Sequence, residues 1–223
     1  MDPSGRYNAA MPRKSAIPVA VLISGTGRTL QNLIDQISAG RVPARIVRVI
    51  SSRAEGIGPA RARLAGIETV ALPRARYATD DAYSEAVAAV IDRTPIELVA
   101  MAGFVHLFRI PEKLQGRVMN IHPALLPAFG GHGFYGERVH EAVLRAGARE
   151  SGCTVHFADN EYDRGPIVLQ RKVPVLPGDT PGTLAKRVFF EECRAYPEAI
   201  RLFAEGRIKI KDGKVEIETD DES

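Results

Sequence analysis

The chain has 223 residues, 45% of them hydrophobic, which suits a globular core in one large domain or two small ones. A net charge of +3 without a basic tract argues against nucleic acid as a partner, while a mildly basic surface suits small anionic ligands. No apolar run is long enough to span a membrane, and the two cysteines, Cys153 and Cys193, lack metal-ligand spacing and read as reduced, buried thiols of a cytosolic protein.

Residues 1–16 are small, polar and proline-bearing, and are expected to form a mobile tail. Arg13 and Lys14 ahead of the apolar run 17–23 imitate a short signal peptide, but the run is brief and reads better as a first buried strand, so export is not expected. Residues 19–23 are continuously apolar, as in a parallel strand covered on both faces. Ser24-Gly25-Thr26-Gly27-Arg28-Thr29 is then a small-residue loop, and Leu30, Leu33, Ile34 and Ile37 recur at helical spacing. Strand, glycine loop and helix together suit an anion, because the first amides of a helix lack partners and its dipole favours negative charge. Leu30 stands where a dinucleotide fingerprint wants a third glycine, and the Gly-Lys-Ser/Thr of a Walker loop is absent. The loop therefore suits a single phosphate better than NAD or ATP; the alternative is a plain turn between strand and helix.

Residues 46–50 read as a second strand closed by Ser51, Ser52 and Arg53, residues 59–64 as a helix ended by Gly66, and residues 67–72 as a third strand. Residues 79–91 read as a helix with Thr79 as N-cap and Asp80 and Asp81 in its first turn. A fourth strand, 98–101, runs into Ala102-Gly103-Phe104-Val105-His106-Leu107-Phe108, an apolar loop that either lines a pocket or caps the core.

The stretch around which the chain is organised is 117–127. Val118, Asn120 and His122 alternate with Met119 and Ile121, the period of a strand, which puts Asn120 and His122 on one face. Pro123 cannot donate to a sheet ladder and ends the strand. An amide and an imidazole then stand at a strand's carboxyl end, where open α/β sheets bind ligands. Both suit acyl transfer: an amide N–H can hold the oxyanion formed when an amine attacks a carbonyl, and an imidazole can deliver a proton or bind the oxyanion. The plainer alternative is a strand end where Asn120 starts a turn and His122 packs.

Gly130-Gly131-His132-Gly133 reads as a surface loop or lid, and residues 135–146 as a helix. Cys153, Val155 and Phe157 share one face of a strand with His156 on the other, structural or supporting. In the acidic loop 158–166, Asp163 is either a solvated turn residue or an acid held by the turn before the next strand, 167–170. Thr180 and Pro181 open a long helix, 181–204, whose apolar stripe of Leu184, Val188, Ala195, Ala199 and Phe203 includes Glu192. An acid on a buried face needs a partner, either an internal Arg or a ligand cation. Pro197 is expected to kink or break that helix. Residues 208–210 and 215–217 flank Asp212-Gly213, a hairpin signal, and 219–223 form an acidic tail.

Taken together, these segments resemble the phosphoribosylglycinamide formyltransferases of purine synthesis, from about residue 19 to about residue 210. The carrying segments are Val21-Leu22-Ile23-Ser24-Gly25-x-Gly27, Ala102-Gly103-Phe104, Asn120-Ile121-His122-Pro123-x-Leu125-Leu126-Pro127, and Thr154-Val155-His156-Phe157 with Asp163-x-Gly165-Pro166. The resemblance implies an α/β, doubly wound, Rossmann-like formyltransferase fold with a mostly parallel sheet and a C-terminal hairpin, a single domain over residues 17–218. It implies transfer of a formyl group from 10-formyltetrahydrofolate to the amine of 5-phosphoribosylglycinamide, in the cytoplasm. Asn120, His122 and Asp163 match the catalytic trio, with His156 supporting and His122 expected as an imidazolium favoured by Asp163. Gly25, Thr26, Gly27, Arg28 and Thr29 match the phosphate loop, while Glu192 and Pro123 match the remainder of the glycinamide site. Phe104, Val105, His106 and Leu107, with Ala158, Asp159, Asn160 and Asp163, match the walls around the folate pterin. No metal is implied; the partners are small-molecule substrates, not nucleic acid or membrane, and a homodimer stays open.

The family's usual phosphate loop has Asn, Ser and Asn where this chain has Thr26, Arg28 and Thr29, and its usual folate-loop Arg is His106 here. Phosphate contacts through backbone amides tolerate the first change, and Arg28 adds charge. Methionyl-tRNA formyltransferases carry an extra carboxy-terminal domain and formyltetrahydrofolate deformylases a regulatory domain in front; neither is expected at this length. A non-catalytic phosphate-binding module would leave the Asn–His–Asp set unexplained.

Overall fold

Strands β1 (Ile17–Ile23), β2 (Ala44–Ser51), β3 (Thr69–Ala71), β4 (Leu98–Met101), β5 (Val118–His122), β6 (Glu150–Phe157) and β7 (Ile167–Pro174) form one sheet in the order β3-β2-β1-β4-β5-β6-β7. This computed structural model describes residues 15–219; the expected tails, with Arg13 and Lys14, fall almost wholly outside them. The first five strands run parallel, and β6 and β7 join antiparallel. Helices α1 (Arg28–Ser38), α2 (Ile57–Leu64), α3 (Asp80–Ile91), α4 (Glu137–Arg145) and α5 (Pro181–Ala204) cover the sheet, and β8 (Ile208–Lys211) and β9 (Lys214–Ile217) make a separate hairpin.

The continuous apolar run of β1 follows from burial on both sides. Val19, Val21 and Ile23 enter the core shared with α1 and α5, whereas Ala20 and Leu22 enter the core shared with α3. Strand order reverses at β1, with β2 and β3 on one side and β4 and β5 on the other. The connections leaving β1 and β4 therefore part at the carboxyl ends and open a crevice between them. The Ser24 amide donates to the Gly103 carbonyl at 3.1 Å and joins the two loops at the base of that crevice.

Helix α5 carries the reciprocal cap that its first residues suggest: the Thr180 hydroxyl accepts from the Thr183 amide, and the Thr183 hydroxyl accepts from the Thr180 amide. Pro197 does not break α5, which runs uninterrupted to Ala204. A proline interrupts a helix partly by orphaning the carbonyl four residues earlier, here that of Cys193. The Asn32 side-chain amide donates to this carbonyl at 2.9 Å and replaces the missing partner. In the hairpin, Asp212 and Gly213 both take positive φ, 50° and 71°, as a two-residue turn of this type requires.

Several boundaries differ from the sequence pattern. Helix α4 starts at Glu137 because Gly136, at φ 57°, still belongs to the preceding turn. Strand β7 continues to Pro174, four residues past the expected end, because β6 itself begins at Glu150 and offers a longer partner. Of the two thiols expected to be buried, Cys153 is, but Cys193 is only half-buried.

Candidate active site

Strand β5 sets the site. Its antiparallel register with β6 puts Asn120 opposite His156, so an amide from one strand and an imidazole from the next share one face. Asp163 arrives from the loop between β6 and β7, in a left-handed conformation at φ 56°. Two glycines permit that placement. A Cβ at Gly165 would strike the Phe157 carbonyl, and one at Gly130 would strike the Leu126 side chain and stand 3.2 Å from the Asp163 Cβ.

The four side chains converge. Asp163 Oδ2 lies 3.5 Å from His122 Nδ1, and Asp163 Oδ1 lies 3.5 Å from His156 Nε2. The Asn120 amide nitrogen lies 3.2 Å from His156 Nε2 and 3.4 Å from Asp163 Oδ1. Two carbonyls fix the rings. His122 Nε2 is 2.8 Å from the Phe129 carbonyl, and His156 Nδ1 is 2.9 Å from the Phe157 carbonyl. A carbonyl oxygen only accepts, so each of those nitrogens carries a hydrogen and the other nitrogen of each ring faces the cluster. Gly131 N–H donates to Asp163 Oδ2 at 2.9 Å, so the glycine loop is tied into the site by its backbone. The turn after β5 is held from beneath: the Thr154 hydroxyl donates to the Ala124 carbonyl at 2.6 Å and accepts from the Leu126 amide at 3.0 Å. Tyr196 of α5 places its hydroxyl 3.1 Å from the Met101 carbonyl and 2.9 Å from that of Met119, bracing the ends of β4 and β5.

Charge in this cluster is set by burial. His122 is 4% exposed, and desolvation holds its pKa below the usual imidazole value even though Asp163 and the Phe129 carbonyl act to raise it. Burial thus favours the neutral ring at rest, while Asp163 favours the imidazolium expected at His122. Burial pushes the Asp163 carboxyl up, but hydrogen bonding with His156, the nearby His122 and the Gly131 amide outweigh it and hold the group below the ordinary carboxylate range. Asp163 is thus ionised beside a neutral imidazole that it would stabilise once protonated.

The cluster forms the floor of a cavity of about 980 Å³ in the crevice at β1 and β4. Gly25, Thr26, Gly27, Arg28 and Thr29 line it at the start of α1, and Glu192 lines it from α5. Gly27 has φ 70° and packs on α2, where an added Cβ would sit 2.9 Å from the Gly58 Cα. The amides of α1 ahead of Gln31, whose N–H reaches the Gly27 carbonyl, have no helical acceptor, and no side chain among the described residues caps them. Phe104, Val105, His106 and Leu107 form another wall with Ala158, Asp159 and Asp163, and Pro123 lies beside His122. The apolar loop meets both alternatives, since Phe104 and Phe108 are also buried in the α3-side core. His106 packs edge-on against Tyr83 and Phe104, and its pKa is lowered by burial and then by Arg74.

Asn160 does not line the cavity. Its side-chain oxygen accepts from the Ile110 amide at 2.8 Å and ties the two wall loops together, a role set by a distant backbone group that local pattern does not show. Arg171 pairs with Glu191 at 3.6 Å and with Glu198, so among the described residues Glu192 has no side-chain hydrogen bond or ion pair, and Arg28 is the cation that acts on it. Burial pushes the Glu192 carboxyl up to about 7, against a partial pull from Arg28. Sequence reasoning missed Arg74, His132, Tyr162, His140 and Phe189, which also line the cavity. His140 is a polar residue between Val139 and Val143 on the buried side of α4, and Phe189 lies one turn before Glu192; those two spacings were the available signal.

The Formyl transferase family matches residues 17–200. Phosphoribosylglycinamide formyltransferase of Haemophilus influenzae is 36% identical over 196 residues, which cover 87% of this chain and 90% of that protein. The solved structure of glycinamide ribonucleotide transformylase 1 from Symbiobacterium toebii matches with a TM-score of 0.85 at 42% identity, covering 97% of this chain and all of that one. The trifunctional purine biosynthetic protein adenosine-3 of Gallus gallus is 41% identical over 202 residues, 89% of this chain, and the chain spans 20% of its length. With a doubly wound sheet, a partly buried Asn–His–Asp cluster lining the cavity at its carboxyl ends and a family match over most of its length, the chain belongs to the formyl transferase family.

Proposed function

We propose that the chain transfers a formyl group from 10-formyltetrahydrofolate to the amine of 5-phosphoribosylglycinamide, as a cytoplasmic enzyme of purine synthesis whose catalytic unit spans residues 17–218. The observation that carries this reading is the meeting of Asn120, His122, Asp163 and His156 within 3.5 Å on the floor of one cavity. At about 980 Å³ the cavity stands at the upper end of ordinary ligand sites, which suits two substrates bound together. The Gly25–Thr29 loop and Glu192 support an anchored phosphate and amine on one side. The walls at 104–107 and 158–163 support a flat heterocycle on the other.

In this reading the glycinamide nitrogen attacks the formyl carbon, and the C=O electron pair moves onto oxygen. Asn120 donates an N–H to that oxyanion. His122, neutral at rest with its Nε2–H on the Phe129 carbonyl, takes the amine proton at Nδ1, directly or through water. Asp163 stabilises the imidazolium so formed. Collapse of the adduct breaks the bond to the folate nitrogen, which receives a proton from the imidazolium and leaves as tetrahydrofolate. His156, hydrogen-bonded to the Asn120 amide nitrogen, orients it.

A folate absorbance assay with and without phosphoribosylglycinamide tests this. Transfer requires release of tetrahydrofolate to depend on the amine. Release without amine would make the chain a hydrolase, and no release in either case would make it a binding module.

A further inference from the structure

Arg28 opens α1 at the rim of the Gly25–Thr29 loop. Its guanidinium carbon lies 4.2 Å from the centroid of the Phe189 ring on α5, and it forms no ion pair with any described residue. Stacking on an aromatic face immobilises the planar fork while leaving its edge N–H groups free to donate. Lys186, one turn before Phe189 on the same helix, also lines the cavity and also lacks an ion-pair partner among the described residues. Two elements thus bring cations to the corner where the first amides of α1 lack helical acceptors, and Arg28 also draws on the nearby Glu192 carboxyl. That donor set is in excess for a neutral hydroxyl and matches the charge of a phosphomonoester dianion.

We propose that Arg28, pinned by Phe189, and Lys186 form a side-chain clamp over the phosphate, so that this chain selects a phosphorylated ribosyl substrate by charge from two helices as well as by loop amides. Phe189 is a positioning residue that acts through Arg28. This rests on the phosphoribosylglycinamide reading above and deepens it.

The test compares Arg28→Ala, Lys186→Ala, Phe189→Leu and the Arg28→Ala/Phe189→Leu pair with wild type, using phosphoribosylglycinamide and its dephosphorylated form. Arg28→Ala raises KM for the phosphorylated amine about 10- to 100-fold, the usual loss for a charge-assisted contact, with kcat and the KM of the dephosphorylated amine little changed. Lys186→Ala acts in the same direction, and Phe189→Leu gives a smaller rise that vanishes in the Arg28→Ala background. Equal losses with both amines, or an unchanged KM for the phosphorylated one, overturn the clamp. Calorimetric binding of ribose 5-phosphate against ribose gives a readout independent of formyl transfer. A preference for the phosphate that falls at least tenfold in Arg28→Ala supports the clamp even in a protein that transfers no formyl group, whereas a preference undiminished by the substitution overturns it.

Discussion

Replacing Asp163 by Asn removes one charge and little else. The Asn carbonyl can still accept from Gly131 N–H, and Asn tolerates the left-handed backbone that Asp163 adopts, so the loop should keep its shape. The lost quantity is the attraction between the carboxylate and the imidazolium formed at His122 during reaction. At 3.5 Å and an effective dielectric of about 20, that attraction is roughly 4–5 kcal/mol. Some solvent reaches the carboxylate, whose side chain is 11% exposed, and the Asn dipole recovers part of the interaction. A net loss of roughly 2–4 kcal/mol is left, or about 30- to 1000-fold in kcat. The KM for phosphoribosylglycinamide should move little, because the contacts of Asp163 are with His122, His156, Asn120 and Gly131 and none is with the Gly25–Thr29 loop. Removing the carboxylate also removes an influence that raises the His122 pKa, so the acid limb of the pH–kcat curve should shift to lower pH. The limb belongs to the coupled pair and not to one residue. Combined with His122→Ala, Asp163→Asn should cost far less than the sum of the single losses, as for residues acting as a unit. A kcat within a few fold of wild type in a folded Asp163→Asn protein, or additive losses in the pair, would refute the reasoning.

Three further outcomes are expected. Asn120→Ala should lower kcat by roughly 10²–10³ with substrate binding retained, as for loss of one oxyanion donor, measured by steady-state kinetics; near-normal turnover would remove that role. Gly25→Val should weaken phosphoribosylglycinamide far more than folate at unchanged Tm, since a Cβ at Gly25 meets no protein atom within 4 Å, whereas Gly27→Val would also disturb the packing on Gly58; equal loss of both ligands in Gly25→Val would misplace the phosphate. His140, 4% exposed with Nδ1 unpartnered, has its pKa lowered from 6.5 to about 4 by burial and then by His122. A lowered folded pKa means the unfolded chain takes the proton first, so stability is lost as pH falls from 6.5 towards about 4, by roughly 3 kcal/mol in full. His140→Leu should remove that part of the acid sensitivity, read as unfolding free energy in urea at neutral and acid pH; parallel curves for the two proteins would contradict it.

The parts of the fold legible in the sequence were those set by near neighbours. Alternation over 118–122 placed Asn120 and His122 on one face, and Thr180-Pro181 marked the start of α5 to the residue. Asp212-Gly213 marked the hairpin turn for the same local reason. What stayed hidden depends on contacts across the chain. Pro197 sits in an unbroken helix because Asn32, far away in sequence, supplies the missing donor. His122 rests neutral because burial outweighs Asp163, and burial is a property of the assembled core. Asn160 looks like any polar loop residue until Ile110 is brought beside it. The link between Arg28 and Phe189 needs α1 and α5 side by side, although each residue stands in a segment that sequence reading had already marked.

In the proposed reaction the formyl carbon passes directly to the glycinamide nitrogen at the Asn120–His122–Asp163 cluster. Following the label from carbon-13 formyl donor into products tests it most directly. Direct transfer requires one labelled formyl on the phosphoribosylglycinamide amine for each tetrahydrofolate released, with both falling together in Asn120→Ala and Asp163→Asn. Label recovered as free formate, or transfer that persists at the wild-type rate in those two variants, would contradict it.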